Sequence, residues 1–514
     1  MERWTIGTLL ETASGYLRDK GSSSPRLDAE LLLAEALGTD RIHLYTEHDR
    51  PLGACEVDHY RTLIGRRGRR EPVAYILGRA HFRHLTLEVT PAVLIPRPET
   101  EELVEVALGI LRRKPLWEAI SAETEPAAPA LPMIADVGCG SGAIALSIAK
   151  ETGHQVLGTD ISSEALAVAE RNRDSLGLGS LVELRGADVL SGIEDASLRL
   201  VISNPPYVAS SDIAELEPDV RSYEPLPALE GGVDGLDTLR RLLPEAARVL
   251  LPGGTVVVEV GHGQARAVAA LAAESGFRGI DIHPDLSGKE RIVEATLPGA
   301  AILELSAFDG PRREAMASAL QAGAIIGLPT DTVYGLGAAW NSRDGVRRLF
   351  AAKGRDDTQP VAVLFSSAAA VREAIPDLGL AAARVLEALL PGPFTFIVFT
   401  ATARPSLVGT EDSLGVRVPD YPPLLTFLGS LSMAVAATSA NISGQPAAAS
   451  LDDVDRAVLA YCSAALVSSD DIRAAGVAST VVDLRPLSVG GRPEVLREGS
   501  VPTEEVLRRI DSLQ

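Results

Sequence analysis

Four residues, Asn204-Pro205-Pro206-Tyr207, have the chemistry to hold a flat amide or amino nitrogen. The Asn204 side-chain carbonyl can accept a hydrogen bond from such an NH2 group, and so can the Pro205 main-chain carbonyl. Two prolines fix φ and stiffen the loop, so the acceptors are preorganised. Tyr207 adds a flat face. With both N–H bonds drawn to acceptors, the nitrogen lone pair turns toward an electrophile. Asn-Pro also opens ordinary turns, so the neighbours decide. Upstream, Asp136-Val137-Gly138-Cys139-Gly140-Ser141-Gly142 stands between the apolar Met133-Ile134-Ala135 and a stretch of helical composition, Ala143–Ala149. A glycine-rich turn there lets a ligand approach the backbone closely. Its GxGxG spacing departs from the dinucleotide fingerprint. Asp160 closes a second candidate strand, Gln155–Thr159, 22 positions after Gly138 (160 − 138), where a ribose-binding carboxylate is expected. A third candidate strand, Leu181–Leu184, leads to Asp188, placed to meet an adenine edge.

A second set of polar loops lies downstream. Ala324–Leu328 reads as a strand running into Pro329-Thr330-Asp331-Thr332-Val333-Tyr334-Gly335-Leu336-Gly337. Two threonine hydroxyls and two glycines in a tight loop suit a small polar ligand. Lys353-Gly354-Arg355, Gly392–Thr395, Gly415–Pro419, Thr438–Gly444, Ser479–Asp483 and Leu496–Gly499 follow. Basic residues thus recur beside Gly, Ser, Thr and Asn loops, a composition suited to a nucleoside triphosphate and a carboxylate. Taken singly, each piece is also ordinary turn chemistry. No Walker A sequence is present, which excludes a P-loop.

The elements that must position these groups are legible in outline. Residues 1–80 read as amphipathic helices, Leu27–Leu37 among them. An insert rich in Ala and Pro, Ser121–Pro132, separates a helix at Glu101–Arg113 from the strand before the glycine turn. The run Leu198–Ser203 before Asn204 reads as a short buried strand. Strands and helices alternate from 133 onward, and Pro298-Gly299 marks a boundary. The expectation is an α/β protein of three domains, 1–80, 81–297 and 301–514.

Composition narrows the function. Of 514 residues, 46% are hydrophobic and 23% charged, as in globular proteins. A net charge of −21 disfavours non-specific DNA binding, which depends on phosphate contacts. The basic cluster Arg66-Arg67-Gly68-Arg69-Arg70 reads as a solvated helix end, with a partner or ribosomal RNA contact as the sharper alternative. The three cysteines are dispersed, and the eight histidines form no HExxH pair, so no protein-built metal site is expected. There is no basic-plus-apolar leader and no apolar run near the ~18 residues of a membrane span. A cytoplasmic protein without a membrane partner is expected.

The order of glycine turn, Asp160, Asp188 and NPPY resembles class I S-adenosylmethionine-dependent methyltransferases. Glu71–Gly78, Val93–Glu101 (VLIPRPETE), Glu224-Pro225, Ala228–Leu236, Glu259-Val260-Gly261 and Gln264 extend the likeness. Over residues 1–297 the chain resembles the release-factor glutamine N5-methyltransferase (PrmC/HemK) family. The resemblance implies an N-terminal helical bundle that recognises substrate, followed by a Rossmann-like domain using S-adenosylmethionine. The implied acceptor is the glutamine side-chain amide in the GGQ motif of class I peptide chain release factors. The implied cofactor residues are Gly138, Cys139, Gly140, Ser141, Gly142, Asp160, Asp188, Val189 and Asn204. Asn204, Pro205, Pro206 and Tyr207 are implied to hold the glutamine and form the catalytic set. Cys139 stands where the family usually has Thr, and Val189 where an aromatic can occur. No strong general base is visible near NPPY, so the proton is expected to leave late, through Asn204 or water. NPPY is shared with adenine- and cytosine-N4 DNA methyltransferases. The alternative is therefore a nucleic-acid amino-methyltransferase carrying an RNA-binding module.

Over about 305–505, PTDTVYGLG, KGR, GVRVP and TSANISG resemble the Sua5/YrdC family of L-threonylcarbamoyladenylate synthases. The resemblance implies a twisted α/β sheet and a reaction of L-threonine, bicarbonate and ATP, with Mg2+ arriving on ATP. The products are threonylcarbamoyl-AMP, for the transfer RNA t6A37 machinery, and pyrophosphate. By resemblance, Thr332, Arg417, Ala437 (through its backbone) and Ser479 meet threonine. Arg355, Ser413, Ser439, Asn441 and Arg497 meet ATP, with Asn441 bracing its loop. Lys353 and Arg355 form the catalytic pair, Lys353 neutralising phosphate charge. Leu364 stands where some members carry His. A related carbamoyltransferase module carries paired CxxC zinc fingers, which three dispersed cysteines cannot supply.

Overall fold

The computed structural model describes residues 4–115, 133–308, 310–354, 361–401, 412–468 and 474–513. The 121–132 insert and Arg355 lie outside the described residues. The N-terminal part is helical: Ile6–Asp19, Pro25–Leu37, Arg41–Thr46, Ala54–Arg67 and Val73–Leu77. Thr5 and Thr8 form a reciprocal capping box that starts the first helix, satisfying amides that the helix leaves unpaired. The bundle buries Leu10, Leu17, Leu32, Leu33 and Tyr60, and the Tyr60 hydroxyl donates to Ala29 O at 3.0 Å. A hairpin, β1 (Arg79–Phe82) and β2 (Leu85–Glu88), leads to the helix Pro98–Arg113.

Seven strands then form one sheet. They are β3 (Ile134–Val137), β4 (Val156–Asp160), β5 (Val182–Gly186), β6 (Leu198–Ser203), β7 (Leu250–Glu259), β8 (Gly279–Pro284) and β9 (Glu290–Thr296). Their order is β5-β4-β3-β6-β7-β9-β8. The first five are parallel, and β9 runs antiparallel between β7 and β8. Apolar side chains cover both faces, Leu103, Val104, Ile144 and Ile148 on one and Leu239, Leu242, Val249 and Val268 on the other. That double burial is why β3 and β6 read as continuous apolar runs rather than alternating ones. The chain steps outward from β3 to β5 and then returns to β6. The crevice at the carboxyl ends of β3, β4 and β6 is therefore the switch point where such sheets bind ligands.

β9 ends at Thr296, and β10 (Ala301–Glu304) opens a second sheet. Its other strands are β11 (Ile325–Leu328), β12 (Gly335–Ala339), β13 (Ala362–Leu364), β14 (Phe394–Phe399), β15 (Ser413–Arg417), β16 (Val435–Ser439), β17 (Cys462–Val467), β18 (Thr480–Asp483) and β19 (Glu494–Arg497). The order is β10-β17-β11-β12-β16-β13-β15-β14-β18-β19, a mixture of parallel and antiparallel pairs. The expected PTDTVYGLG loop is shorter than the motif. Gly335 and Gly337 belong to β12, where they pair with Ser439 and Ala437. A Cβ on Gly337 would come within 2.6 Å of Leu328 and Val435 side-chain carbons, so close strand packing, not turn conformation, requires glycine there.

The two sheets meet across a polar seam. The helix Pro98–Arg113 packs on the helix Gly310–Gln321. Glu294, 1% exposed, accepts two 2.9 Å bonds from Arg113 Nη2 and lies 3.6 Å from Arg348 of the helix Arg343–Ala352. Arg348 also faces Asp281 at 3.5 Å, and Lys114 Nζ donates to Ala460 O at 3.3 Å. Burial alone would raise the Glu294 carboxyl, but the neighbouring cations Arg113 and Arg348 and the His283 hydrogen bond hold it below its usual range.

The basic cluster at 66–70 is not a solvated helix end. Arg67 is 5% exposed and pairs with Asp28 at 2.7 Å and Asp219 at 2.9 Å. Arg70 pairs with Asp219 and Glu217, and Arg66 with Glu71. The charges clamp the helical part to the helix Pro218–Tyr223, a partnership 152 positions apart. Among the described residues, no helix is long and apolar enough to cross a membrane.

Candidate active sites

The first cleft opens at the switch point. Gly138, Gly140 and Gly142 have φ of 73°, 55° and 82°, a left-handed region that side chains disfavour. A Cβ on Gly138 or Gly140 would meet nothing within 4 Å, so the turn leaves open space beside its backbone. Gly138 and Cys139 amides donate to Thr159 O at 2.8 and 2.9 Å. Asp160 is held at the end of β4: its Oδ2 accepts from Gly140 N and its Oδ1 from Ser162 N, both at 2.9 Å. Asn172, 1% exposed, donates to Ser141 O at 2.9 Å and Glu88 O at 3.0 Å, tying the turn to the β1–β2 hairpin.

Behind the turn, Asp136 is fully buried, and burial pushes its carboxyl up to about 7. Its Oδ2 accepts from Ala145 N at 3.0 Å, while Oδ1 has no partner among the described residues. Asp188 lines the cleft in an ion pair with Arg241, which lines it too. Val189 adopts φ 57°, costly for a β-branched residue, and Thr159 Oγ1 donates to its carbonyl at 3.0 Å.

β6 delivers Asn204, Pro205 and Pro206 to the same cleft. Ser203 Oγ donates to Val137 O at 2.7 Å, locking the end of β6 to β3. Asn204 Nδ2 donates to Thr100 Oγ1 at 2.9 Å, and Thr100 Oγ1 donates to Glu259 Oε2 at 2.8 Å. The Tyr207 hydroxyl donates to Glu259 Oε1 at 3.3 Å, and its carbonyl accepts from Gln264 Nε2 at 3.0 Å. Tyr207 is thus engaged inward, and the cleft wall is built from Asn204 and the two prolines. Burial raises the Tyr207 phenol and Glu259 carboxyl above their usual ranges. The cleft has about 600 Å³ of open volume, within the range of small-molecule sites. The open glycine backbone, held acid and adjacent amide acceptor fit S-adenosylmethionine.

The second cleft, of about 350 Å³, is walled by Ser413, Arg417, Ala437, Ser439, Ser479 and Arg497. Six positions expected from separate motifs therefore converge. Thr332 is fully buried, and its hydroxyl accepts from Arg417 Nη2 at 2.7 Å. Arg417 also pairs with Asp331 at 2.5 Å, while its Nε has no partner among the described residues. Ser479 Oγ and Thr395 Oγ1 are 2.8 Å apart, and Arg497 Nη2 donates to Ser479 O at 3.0 Å. Burial, and then the nearby Arg417, push Arg497 down. Two guanidiniums brought this close favour an anionic ligand.

Lys353, 4% exposed, does not form the wall. Its Nζ donates to Ser439 O at 2.7 Å, Ser439 Oγ at 3.1 Å and Asn441 Oδ1 at 3.2 Å. Asn441 Nδ2 donates to Ile442 O and Gln445 O at 3.1 and 2.6 Å, so it does brace its loop. Leu364, 1% exposed, lines the cleft.

A family model described as the PrmC N-terminal domain matches residues 8–78, and one described as the methyltransferase small domain matches 124–216. A release factor glutamine methyltransferase of Geobacter sulfurreducens is 42% identical over 293 residues, covering 57% of this chain and 96% of that protein. The chain belongs to the release factor glutamine methyltransferase family. A Caulobacter vibrioides enzyme of the same name is 40% identical over 282 residues, covering 55% of this chain and 92% of that protein. The Sua5_yciO_yrdC model, described as "Telomere recombination", matches residues 318–499. P. abyssi Sua5 complexed with L-threonine is 26% identical, with a TM-score of 0.36, over 41% of this chain. This chain spans 60% of that protein's length. The chain is an enzyme that joins a release factor glutamine methyltransferase to a Sua5/YrdC-type domain.

Several residues of this release factor methyltransferase cleft were not singled out by sequence. Thr100 lies inside VLIPRPETE, yet its link to Glu259 spans 159 positions. Glu259 stands in its sequence motif without a role; its oxygens are taken by the Thr100 and Tyr207 hydroxyls. Arg97 lines the cleft and pairs with Glu224, which is 1% exposed at its side chain. Ile161 is the clearest missed signal: an apolar side chain directly after Asp160, 74% exposed at the cleft lip. In the second cleft, Thr395 and Asp331 stand in the sequence motifs without a role.

Proposed function

We propose that the first cleft methylates N5 of the glutamine in the GGQ motif of class I release factors, with S-adenosylmethionine supplying the methyl group when bound. The observation that carries this reading is the Asn204 amide, anchored by its nitrogen on Thr100 with its carbonyl free to accept, beside the open glycine turn in one cleft. Asn204 Oδ1 and Pro205 O would take the two N–H bonds of the glutamine. The stiff prolines hold that geometry, and alignment is what a poorly nucleophilic amide needs most. Glu259 lies two hydrogen bonds away and would not itself meet the substrate proton, so the proton leaves late, through Asn204 or water. Gly138–Gly142, Asp160, Asp188 and Val189 would hold the cofactor, and residues 1–80 would meet the release factor. Incubation with labelled S-adenosylmethionine and a release factor, with and without its GGQ glutamine, tests this reading. Label that does not depend on that glutamine would overturn it.

We propose further that residues 301–514 form threonylcarbamoyl-AMP from L-threonine, bicarbonate and ATP, with Mg2+ carried by the phosphates. The convergence of Arg417, Arg497, Ser413, Ser439 and Ser479 in one cleft supports this reading. Threonine amine and bicarbonate would form a carbamate, whose oxygen attacks the α-phosphate as pyrophosphate leaves. Arg417, Ala437 and Ser479 would hold threonine, with the buried Thr332 hydroxyl positioning Arg417. Ser413, Ser439 and Arg497 would hold ATP, together with Arg355, with Asn441 bracing the loop behind them. Lys353, bound to Ser439 and Asn441, sets the phosphate-facing loop. ATP–pyrophosphate exchange that requires both threonine and bicarbonate tests it, and exchange without either co-substrate would overturn it.

A further inference from the structure

Asn204 has two chemically opposite ends, an acceptor oxygen and a donor NH2. Nothing in the NPPY loop alone decides which end faces the cleft. The decision lies in two residues from elsewhere. Glu259, at the end of β7, is 2% exposed and receives one hydroxyl on each oxygen, Thr100 at 2.8 Å and Tyr207 at 3.3 Å. With a hydroxyl donating to each of its oxygens, Glu259 acts here only as an acceptor. Thr100 has one proton and gives it to Glu259, so its oxygen can only accept from Asn204. Asn204 must then turn its NH2 to Thr100, as the 2.9 Å contact has it, and its Oδ1 to the cleft.

We infer that Glu259 and Thr100 are positioning residues that fix the polarity of the Asn204 amide and thereby select a ligand that donates N–H over one that only accepts. This rests on the reading of the cleft as a glutamine-amide methyltransferase. A glutamine amide offers two N–H donors to Asn204 Oδ1 and Pro205 O. A glutamate carboxylate in its place offers none and faces two acceptors. Sites built around a specific hydrogen bond reject ligands that lack the matching group, because a buried polar atom is left unpaired. The discrimination is built by a carboxylate that never touches the ligand.

The test uses the full chain, S-adenosylmethionine, and a class I release factor carrying either GGQ or GGE. Wild type should bind the GGQ factor about tenfold or more tightly than the GGE factor. Thr100→Val keeps the shape but removes the hydroxyl. Its preference should fall to within about threefold and its kcat by about 30-fold, with S-adenosylmethionine affinity unchanged. Thr100→Ser restores the hydroxyl and should restore both. A merely structural role for Thr100 would weaken both factors equally and leave their ratio intact, so a preserved preference in Thr100→Val overturns the inference. Should that variant not fold, Thr100→Cys, a weaker donor and acceptor, should show an intermediate preference. An unchanged one would overturn the inference equally. A wild-type protein that transfers no methyl to the GGQ factor would instead sink the reading on which it rests.

Discussion

The two clefts hold their polar groups in opposite ways. In the methyltransferase cleft, the Asn204 amide is turned by a chain of bonds ending on a buried carboxylate, and its acceptor is left free. In the second cleft, Arg417, the group proposed to take a carboxylate, is already engaged by the protein's own Asp331 and Thr332. A neutral amide binds without displacing anything, so preorganisation alone serves it. A cationic pocket without its anion would hold repelling arginines, and an internal carboxylate relieves that until the ligand arrives. The second arrangement predicts competition between Asp331 and an incoming carboxylate for Arg417.

The seam bears on whether the clefts are independent. Glu294 belongs to the first sheet yet faces Arg348 of the second part. Glu294→Ala leaves Arg113 and Arg348 facing a vacated buried position, and breaking one side of such a cluster costs about 3 kcal/mol or more. The expected outcome is a clearly lower unfolding midpoint for the full chain, with both activities retained below it. Loss of one activity at temperatures where the variant remains folded would show that the clefts communicate across the seam.

Within the first cleft, Asn204→Ala removes the aimed acceptor but leaves the glycine turn and Asp160 untouched. Methyl transfer should fall by about 10²- to 10³-fold. S-adenosylmethionine binding by calorimetry and threonine-dependent pyrophosphate release should stay near wild type. Near-normal turnover would remove the preorganised acceptor from the comparison.

Much of this contrast was legible in sequence, and the illegible part has a common cause. The strand before NPPY, the glycine turn and Asp160 are local: apolar runs, glycines and an acid within one βαβ unit, and the structure has them at β6, β3 and β4. Glu259–Thr100 and Arg67–Asp219 are side-chain meetings across 159 and 152 positions, with no local pattern to announce them. Arg66–Arg70 looked solvated because a charge run usually is, and only the packed fold supplies its carboxylates. Gly335 and Gly337 read as turn residues because glycine usually is, whereas both lie in β12, and Gly337 lets it fit against Leu328 and Val435.

Lys353→Ala tests the support of the second cleft. The ammonium holds the Ser439 carbonyl and hydroxyl and the Asn441 side chain, so its loss should loosen the loop that carries Ser439 into the cleft. Threonine- and bicarbonate-dependent pyrophosphate release should drop by about 10²-fold, while methyl transfer is unchanged. A rate within about twofold of wild type would mean that the loop holds its shape without Lys353.

The smallest expected effect is the sharpest test of the contrast. Asp331→Asn keeps the size of the side chain and removes its charge. Arg417 loses an ionic partner but keeps its bonds to Thr332 and Thr330, so the guanidinium stays in place. If Asp331 competes with the incoming carboxylate, the KM for threonine should fall by about three- to tenfold, the size of one charge interaction worth about 1 kcal/mol in a partly solvated cleft. kcat should change less, because Asp331 is not placed at the phosphates. The effect should shrink at high salt, where charge interactions are screened. A raised KM would mean that Asp331 aims Arg417 rather than occupying it. The second cleft would then be preorganised by an internal carboxylate just as the first is, and the contrast between the two would dissolve.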